Sequence, residues 1–153
     1  MRPALLLIAA LAALAAPATA APRAGTTSLM PTSEPMRKVL EEWGFSEAIV
    51  RGDTIYLSGV VAGLQPGETD QAAAFERAFR TIGAILERAG SSWDEVLDMT
   101  SYHTDLPAQL NSFRAVKDRY VKAPFPTWTA IDIDRLAPDN GIVEIKVIAQ
   151  KKR

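Results

Sequence analysis

The feature that most constrains the fold is a long apolar stripe in the middle of the chain. Six apolar side chains recur at the three- and four-residue spacing of an α-helix, with charged residues between them. The apolar positions are Phe75, Phe79, Ile82, Ile85, Leu86 and Ala89. Thr69 or Asp70 can cap the start of this helix, and Gly90 can end it. Such a helix needs another element of the same domain on which to bury its apolar face.

The remaining pattern places this helix on a sheet. A second amphipathic helix is predicted over about residues 108–121, with a buried side formed by Leu110, Phe113, Val116 and Tyr120. Residues 36–43 also have helical spacing, and 63–68 form a loop. Strands are predicted over residues 46–50, 54–60, 95–104, 127–134 and 142–150.

The order of these elements, β-β-α-β-α-β-β, indicates an α+β fold with a mixed sheet and two long helices on one of its faces. The other face carries side chains of mixed polarity, so it is either exposed to solvent or covered by another subunit. These side chains are Tyr56, Ser58, Glu144, Lys146 and Ile148.

The first twenty residues have the three-part organisation of a secretory signal peptide. Arg2 supplies a positive start, residues 4–16 are uninterrupted apolar, and residues 18–20 are Ala-Thr-Ala. We predict cleavage before Ala21, a flexible leader over residues 21–35 and a folded domain over 36–153. The mature protein is then periplasmic or secreted and free of the membrane. An uncleaved anchor is the alternative, although the apolar run is shorter than the ~20 residues that span a bilayer.

Charge and composition exclude several classes of function. The chain has 153 residues, 17 basic and 18 acidic, and the single basic cluster is at the very end. We therefore expect one domain and no nucleic-acid partner. Cysteine is absent, which excludes disulfides and thiolate chemistry. His103 is the only histidine, so a multi-histidine metal site within one chain is impossible. We expect no metal and a structural hydrogen bond for His103.

Three other residues have two interpretations each. Glu144 lies mid-strand between apolar neighbours. It is either exposed, with Lys146 as an ion-pair partner, or partly buried and suited to acid–base chemistry. Ser58 is either a polar plug at a strand end or a hydrogen-bond donor to a ligand. Trp128 follows a Pro-Phe-Pro segment and belongs to the core or an interface more readily than to a ligand platform.

Four segments together resemble the Rid family, the YjgF-like reactive-intermediate deaminases. The segments are 52–59 (GDTIYLSG), 85–90 (ILERAG), 94–96 (DEV) and 142–149 (IVEIKVIA). The resemblance covers about residues 45–150. It implies a chorismate-mutase-like fold and a homotrimer whose sheets face inward, with clefts between subunits. The deaminating members of this family hydrolyse enamines and imines such as 2-aminoacrylate to 2-keto acids and ammonia, and they need no cofactor.

The resemblance also implies roles for individual residues. Glu144 takes the place of the glutamate that positions water, and Ser58 that of a serine that shapes the pocket. Phe45 replaces an aromatic residue that is commonly tyrosine. Trp128 stands where the deaminating members have the arginine that holds the substrate carboxylate. An indole offers one N–H and cannot form the bidentate fork of a guanidinium.

We therefore expect an exported protein that binds a neutral or apolar small molecule in inter-subunit clefts and lacks the standard 2-imino-acid deaminase activity. Arg114 is the residue that could restore a positive charge in the cleft. One alternative is an enamine or imine hydrolase in which Glu144 positions the water. Another is a structural or holdase-like interaction protein.

Overall fold

The computed structural model describes residues 24–153, and the predicted signal peptide and cleavage site lie outside the described residues. The strands are β1 (Thr26–Leu29), β2 (Ala48–Arg51), β3 (Thr54–Leu57), β4 (Val60–Gly63), β5 (Val96–His103), β6 (Thr127–Asp132) and β7 (Gly141–Gln150). The helices are α1 (Glu34–Trp43), α2 (Gln71–Arg88) and α3 (Leu106–Tyr120). Within 24–153, none of the helices has the length and apolar character needed to cross a bilayer.

The seven strands form one mixed sheet in the order β1-β2-β3-β7-β5-β6. All neighbours are antiparallel except β5 and β6, which are parallel and connected through α3. β3 and β4 lie end to end along the same edge of β7. Ser58 and Gly59 separate them, because one extra residue on this side interrupts the register opposite β7. The predicted strand over 54–60 is therefore two strands that continue to Gly63.

The helices α2 and α3 cover one face of the sheet, which confirms the predicted α+β layer. Phe75, Phe79 and Phe113 are fully buried, and the Phe75 and Phe113 rings meet edge to face at 5.5 Å. Val143, Ile145, Val147 and Ala149 of β7 complete the core, as their alternation predicted. The side chain of Asp70 accepts a hydrogen bond from the Ala72 amide and so caps α2 as expected.

The prediction of a flexible leader over 21–35 is wrong for the part that the structure describes. Residues 26–29 form β1, which pairs antiparallel with β2, and α1 begins at Glu34. An edge strand is held by backbone hydrogen bonds and buries few side chains. The segment Thr-Thr-Ser-Leu therefore needs no alternation of apolar and polar residues, and its sequence does not indicate a strand.

The buried side of α3 also differs from the prediction. Gln109 and Lys117 are buried, whereas Leu110 and Tyr120 are only half-buried. Lys117 follows Phe113 by one helical turn, so its position faces inward, although its residue type indicates the surface.

A chain of hydrogen bonds joins β6, β5, α3 and β7 inside the helix-covered half of the molecule. Trp128 Nε1 donates to Ser101 Oγ at 2.9 Å, and that hydroxyl lies 2.9 Å from His103 Nε2. His103 Nδ1 lies 3.1 Å from Gln109 Oε1. The chain ends with Gln109 Nε2 donating to Thr104 Oγ1, which donates to the Ile142 carbonyl.

The direction of each hydrogen bond follows from the groups at the two ends of this chain, where the Trp128 N–H can only donate and the Ile142 carbonyl can only accept. Because an amide oxygen only accepts, the His103 Nδ1 carries a proton and donates to Gln109. The neutral ring then accepts at Nε2 from the Ser101 hydroxyl, whose oxygen accepts from Trp128. Burial lowers the pKa of His103 below its ordinary value of 6.5, against the opposing effect of the hydrogen bond to Gln109. His103 is structural, as predicted.

Stability is therefore expected to fall in mildly acidic solution through a single residue. Since the folded pKa of His103 lies below the unfolded one, the unfolded chain binds more protons as the pH drops below about 6.5. The melting temperature of the mature protein should decrease from pH 7 to pH 5.5. A His103→Gln variant should melt lower overall but with a flat profile across that window. A flat profile for the native chain, or parallel profiles for both proteins, would contradict this interpretation.

Candidate functional site

One pocket lies on the uncovered face of the sheet and is lined from β2, β3, β5, β7 and the residues next to β2 and β3. Its volume is about 460 Å³, and Ser58, Gly59, Glu144, Tyr102 and Tyr56 are among its lining residues. It therefore brings together two of the predicted site residues, Ser58 and Glu144. Phe45 does not line it, although the next residue along the chain, Ser46, does.

Glu144 lies directly over the backbone of Gly59. A Cβ on Gly59 would be 1.8 Å from Glu144 Oε1, so this approach requires glycine. Among residues 24–153, the side chain of Glu144 has no hydrogen-bond or ion-pair partner. The predicted ion pair with Lys146 is wrong: the two residues lie opposite Tyr102 and Thr100 respectively, about 7 Å apart along the strand. The half-buried carboxylate can thus accept hydrogen bonds from a ligand or from water.

Ser58 serves the fold at the edge of this pocket. Its hydroxyl donates to the Ser46 carbonyl at 2.6 Å, and its amide donates to the Glu47 carbonyl at 3.0 Å. Both donors of Ser58 are therefore committed to the preceding segment. This supports the interpretation of Ser58 as a polar plug, and it leaves the hydroxyl oxygen able to accept.

A second pocket, of about 560 Å³, lies between α3 and β6 on the helix-covered side. Trp128 and Arg114, the other two predicted residues, line it together with Lys117. The Trp128 ring stacks on Phe113 at 5.9 Å between centroids. The Lys117 Nζ lies 5.1 Å from the Trp128 ring centroid, within the range of a cation–π contact.

The sheet separates the two groups of residues. Glu144 lies opposite Tyr102 on β5, and Trp128 lies opposite Met99 on the same strand. Positions 99 and 102 point to opposite faces, because side chains alternate along a strand. Within one chain, Glu144 and Trp128 therefore cannot contact the same small ligand.

Two cations lie on the same side of the sheet as Trp128. Lys117 lies beside its ring, and Arg114, the residue expected to restore a positive charge, lies one helical turn earlier on α3 and lines the same pocket. The sequence carried a usable signal, since Lys117 has the spacing of the buried face of α3, but a lysine at such a position is ordinarily assigned to solvent. Among residues 24–153, no three His, Asp or Glu side chains are grouped so as to hold a metal ion.

Comparison with known proteins places this geometry in a family. The family model described as endoribonuclease L-PSP matches residues 37–151. The RutC family protein YjgH of Escherichia coli K12 is 38% identical over 112 residues, which are 71% of this chain and 84% of that protein.

Two solved structures agree with the sequence comparisons. The structure of protein YjgH is 32% identical with a TM-score of 0.71 and covers 84% of this chain and 98% of its own. RidA from the Antarctic bacterium Psychrobacter is 31% identical with a TM-score of 0.63, covering 70% of this chain and 88% of its own. These matches confirm the resemblance and the fold, and the chain belongs to the endoribonuclease L-PSP family, which includes the RutC, YjgF and RidA proteins.

Proposed function

We propose that the protein is an exported member of this family that binds a small molecule in clefts between the subunits of a homotrimer, without the standard 2-imino-acid deaminase activity. The observation that carries the proposal is the position of Trp128. Its side-chain N–H is already donated to Ser101, and its ring is held between Phe113 and Lys117. Trp128 therefore has no donor left for a substrate carboxylate.

The absence of a guanidinium at position 128 should weaken the binding of a substrate carboxylate substantially. Losing one partner of a buried, hydrogen-bonded charge pair costs about 3–5 kcal/mol. This corresponds to a loss of at least ~100-fold in binding or rate. The lysine beside Trp128 is a point charge on a flexible stem and does not reproduce a planar fork. A ligand other than a small imino acid is the better match to such a site.

The uncovered face of the sheet supports self-association. Tyr56 and Ile131 are 45% and 39% exposed there, and Ile49, Tyr102 and Ile148 are half-buried neighbours on the same face. A sheet with one helix-covered face is stabilised when a partner covers the exposed apolar side chains of its other face. Since the sheet separates Glu144 from Trp128 within one chain, only a contact between subunits could unite them in one cleft.

The oligomeric state tests this part of the proposal. Light scattering coupled to gel filtration should give the mass of three subunits for the mature protein. Tyr56→Glu places a charge on the face to be covered and should yield monomers, whereas Ala84→Glu, on the exposed side of α2, should leave the mass unchanged. A monomeric native protein, or an unchanged mass for Tyr56→Glu, would contradict the homotrimer.

The absence of deaminase activity is tested with 2-aminoacrylate generated in situ. Pyruvate should form at the uncatalysed rate in the presence of the mature protein. Pyruvate release above the uncatalysed rate in the presence of the native protein would overturn the proposal, and release that stayed fast in Trp128→Ala would show that Trp128 does not decide the chemistry.

A specific observation favours the enzymatic alternative, an imine or enamine hydrolase. The Glu144 carboxylate has no protein partner among residues 24–153, lies in a pocket and could position a water molecule. Turnover of any imine that disappears in Glu144→Gln would support it. Gly59→Ala is the matched variant: its Cβ must displace the flexible end of Glu144, so the fold should persist while activity falls by at least about tenfold. The interaction-protein alternative has less support, since two pockets are present.

Export is proposed from the first twenty residues of the sequence. The protein recovered from the periplasmic fraction of a bacterial host should begin at Ala21 when its amino terminus is sequenced. Recovery of the chain with Met1 intact in the membrane fraction would instead support the uncleaved anchor.

A further inference from the structure

Helix α1 exposes an apolar stripe that neither the fold nor the proposed function uses. Of its ten residues, only Leu40 is buried. Met36, Val39 and Trp43 are 52%, 45% and 70% exposed. Their spacing of three and four residues places these side chains on one side of the helix. A contiguous apolar stripe on an exposed helix indicates a surface that another molecule covers.

The direction of this stripe is fixed by contacts at both ends of α1. At the start, the Arg37 guanidinium donates to the Pro31 carbonyl at 3.3 and 3.4 Å. At the end, Gly44 adopts the left-handed conformation with φ of 73°, and the Phe45 amide donates to the Leu40 carbonyl at 3.0 Å. The helix is therefore held in place before any partner binds, which lowers the entropic cost of docking.

The charges beside the stripe divide along the helix. Lys38 lies in its amino-terminal half, and Glu42 lies one turn later on the same side. Glu34 is the ion-pair partner of Lys38 at 3.8 Å, and both side chains are exposed, so this pair holds Lys38 weakly. Among residues 24–153, the Glu42 carboxylate has no ion-pair partner. One edge of the stripe thus presents a cation and then an anion.

This order of charges is complementary to itself when the helix is reversed. In an antiparallel pair of α1 helices, Met36 would lie beside Trp43 of the second copy. Lys38 would lie beside Glu42 of the second copy, and the two-fold symmetry repeats each contact. A parallel pair would instead place like charges side by side. Charge complementarity therefore selects a second copy in the antiparallel orientation.

We propose that the stripe formed by Met36, Val39 and Trp43 is a docking surface for a second copy of this chain, seated as an antiparallel pair of α1 helices. A two-fold contact cannot join neighbours within a three-fold ring, so it joins copies from separate homotrimers. The inference goes beyond the proposed function and does not depend on Glu144 or Trp128.

The contact is expected to be weak. Three side chains from each copy cover well under the ~1,200 Å² of a stable interface. The pair should therefore dissociate at the micromolar concentrations used in gel filtration, where the mass of three subunits is expected, and form as the protein concentration approaches the millimolar range.

The test uses the absence of cysteine from the native chain, since a single introduced cysteine then reports one position. Val39→Cys would place a thiol beside its own counterpart in the antiparallel pair. Glu41→Cys is the matched control, because residues two apart on a helix differ by about 200° in direction. With Cu(II)-phenanthroline as oxidant, Val39→Cys should form disulfide-linked pairs at least about tenfold faster than Glu41→Cys, measured on non-reducing gels.

Further variants in the Val39→Cys background assign the two kinds of contact. Trp43→Glu places a charge in the stripe and should slow linkage to the rate of Glu41→Cys. Glu42→Lys sets two lysines side by side and should slow linkage by about threefold, within the range of exposed ion pairs. Adding Lys38→Glu to that variant restores opposite charges and should restore the rate.

The outcomes separate this inference from the proposed homotrimer. Tyr56→Glu should break the homotrimer and leave the linkage of Val39→Cys intact. Equal linkage rates for Val39→Cys and Glu41→Cys, or a rate that Trp43→Glu does not change, would overturn the inference. It is also overturned if Trp43→Glu alone lowers the gel-filtration mass from three subunits to one, because α1 would then pack inside the homotrimer.

Discussion

The constraint on which the rest of the structure depends is the chain of hydrogen bonds that leads from the indole of β6 to the backbone of β7. Its members, in order, are Trp128, Ser101, His103, Gln109, Thr104 and the Ile142 carbonyl. Buried polar groups must be paired, and a network in which each donor has one acceptor specifies a single arrangement of the elements that carry it. The neutral imidazole at its centre sets the direction of the donors, and the hydrogen bond to Ser101 holds the Trp128 indole on the face of the sheet that the strand register gives it.

That placement decides which chemistry each side of the sheet can support. The uncovered face carries the Glu144 carboxylate, which packs against the backbone of Gly59. This carboxylate has no side-chain hydrogen-bond or ion-pair partner among residues 24–153. The helix-covered side carries an indole surrounded by cations, chiefly Lys117. A member of this family that joined an acid and a fork-forming cation in one cleft could hold and hydrolyse a small imino acid. Here the cation nearest the Trp128 ring is Lys117 of α3, whose Nζ lies 5.1 Å from the ring centroid.

Much of the fold could be predicted from periodicity. The apolar stripe of α2, its Asp70 cap and the alternation of β7 are local patterns with one physical solution each. The edge strand β1 could not be predicted, because its pairing is made by the backbone and leaves no apolar signature. The interruption at Ser58 and Gly59 also depends on a partner, the β7 strand, that lies more than eighty residues away. The site was predictable only in its parts. The residue type and the family resemblance suggested Glu144, and the resemblance alone suggested Trp128, but their separation follows from the strand register. The burial of Lys117 was not predicted, because a lysine is ordinarily expected in solvent.

The protonation of the imidazole ring tests the central claim most directly. The chain contains one histidine, so a long-range ¹H–¹⁵N correlation spectrum reports His103 alone. The hydrogen-bond chain requires a neutral ring with its proton on Nδ1 at pH 7, and burial requires that this form persist below the ordinary pKa of histidine. A spectrum with one protonated Nδ1 and one unprotonated Nε2 is the predicted result. A proton on Nε2 instead, or a charged ring at pH 6, would contradict the direction of the network.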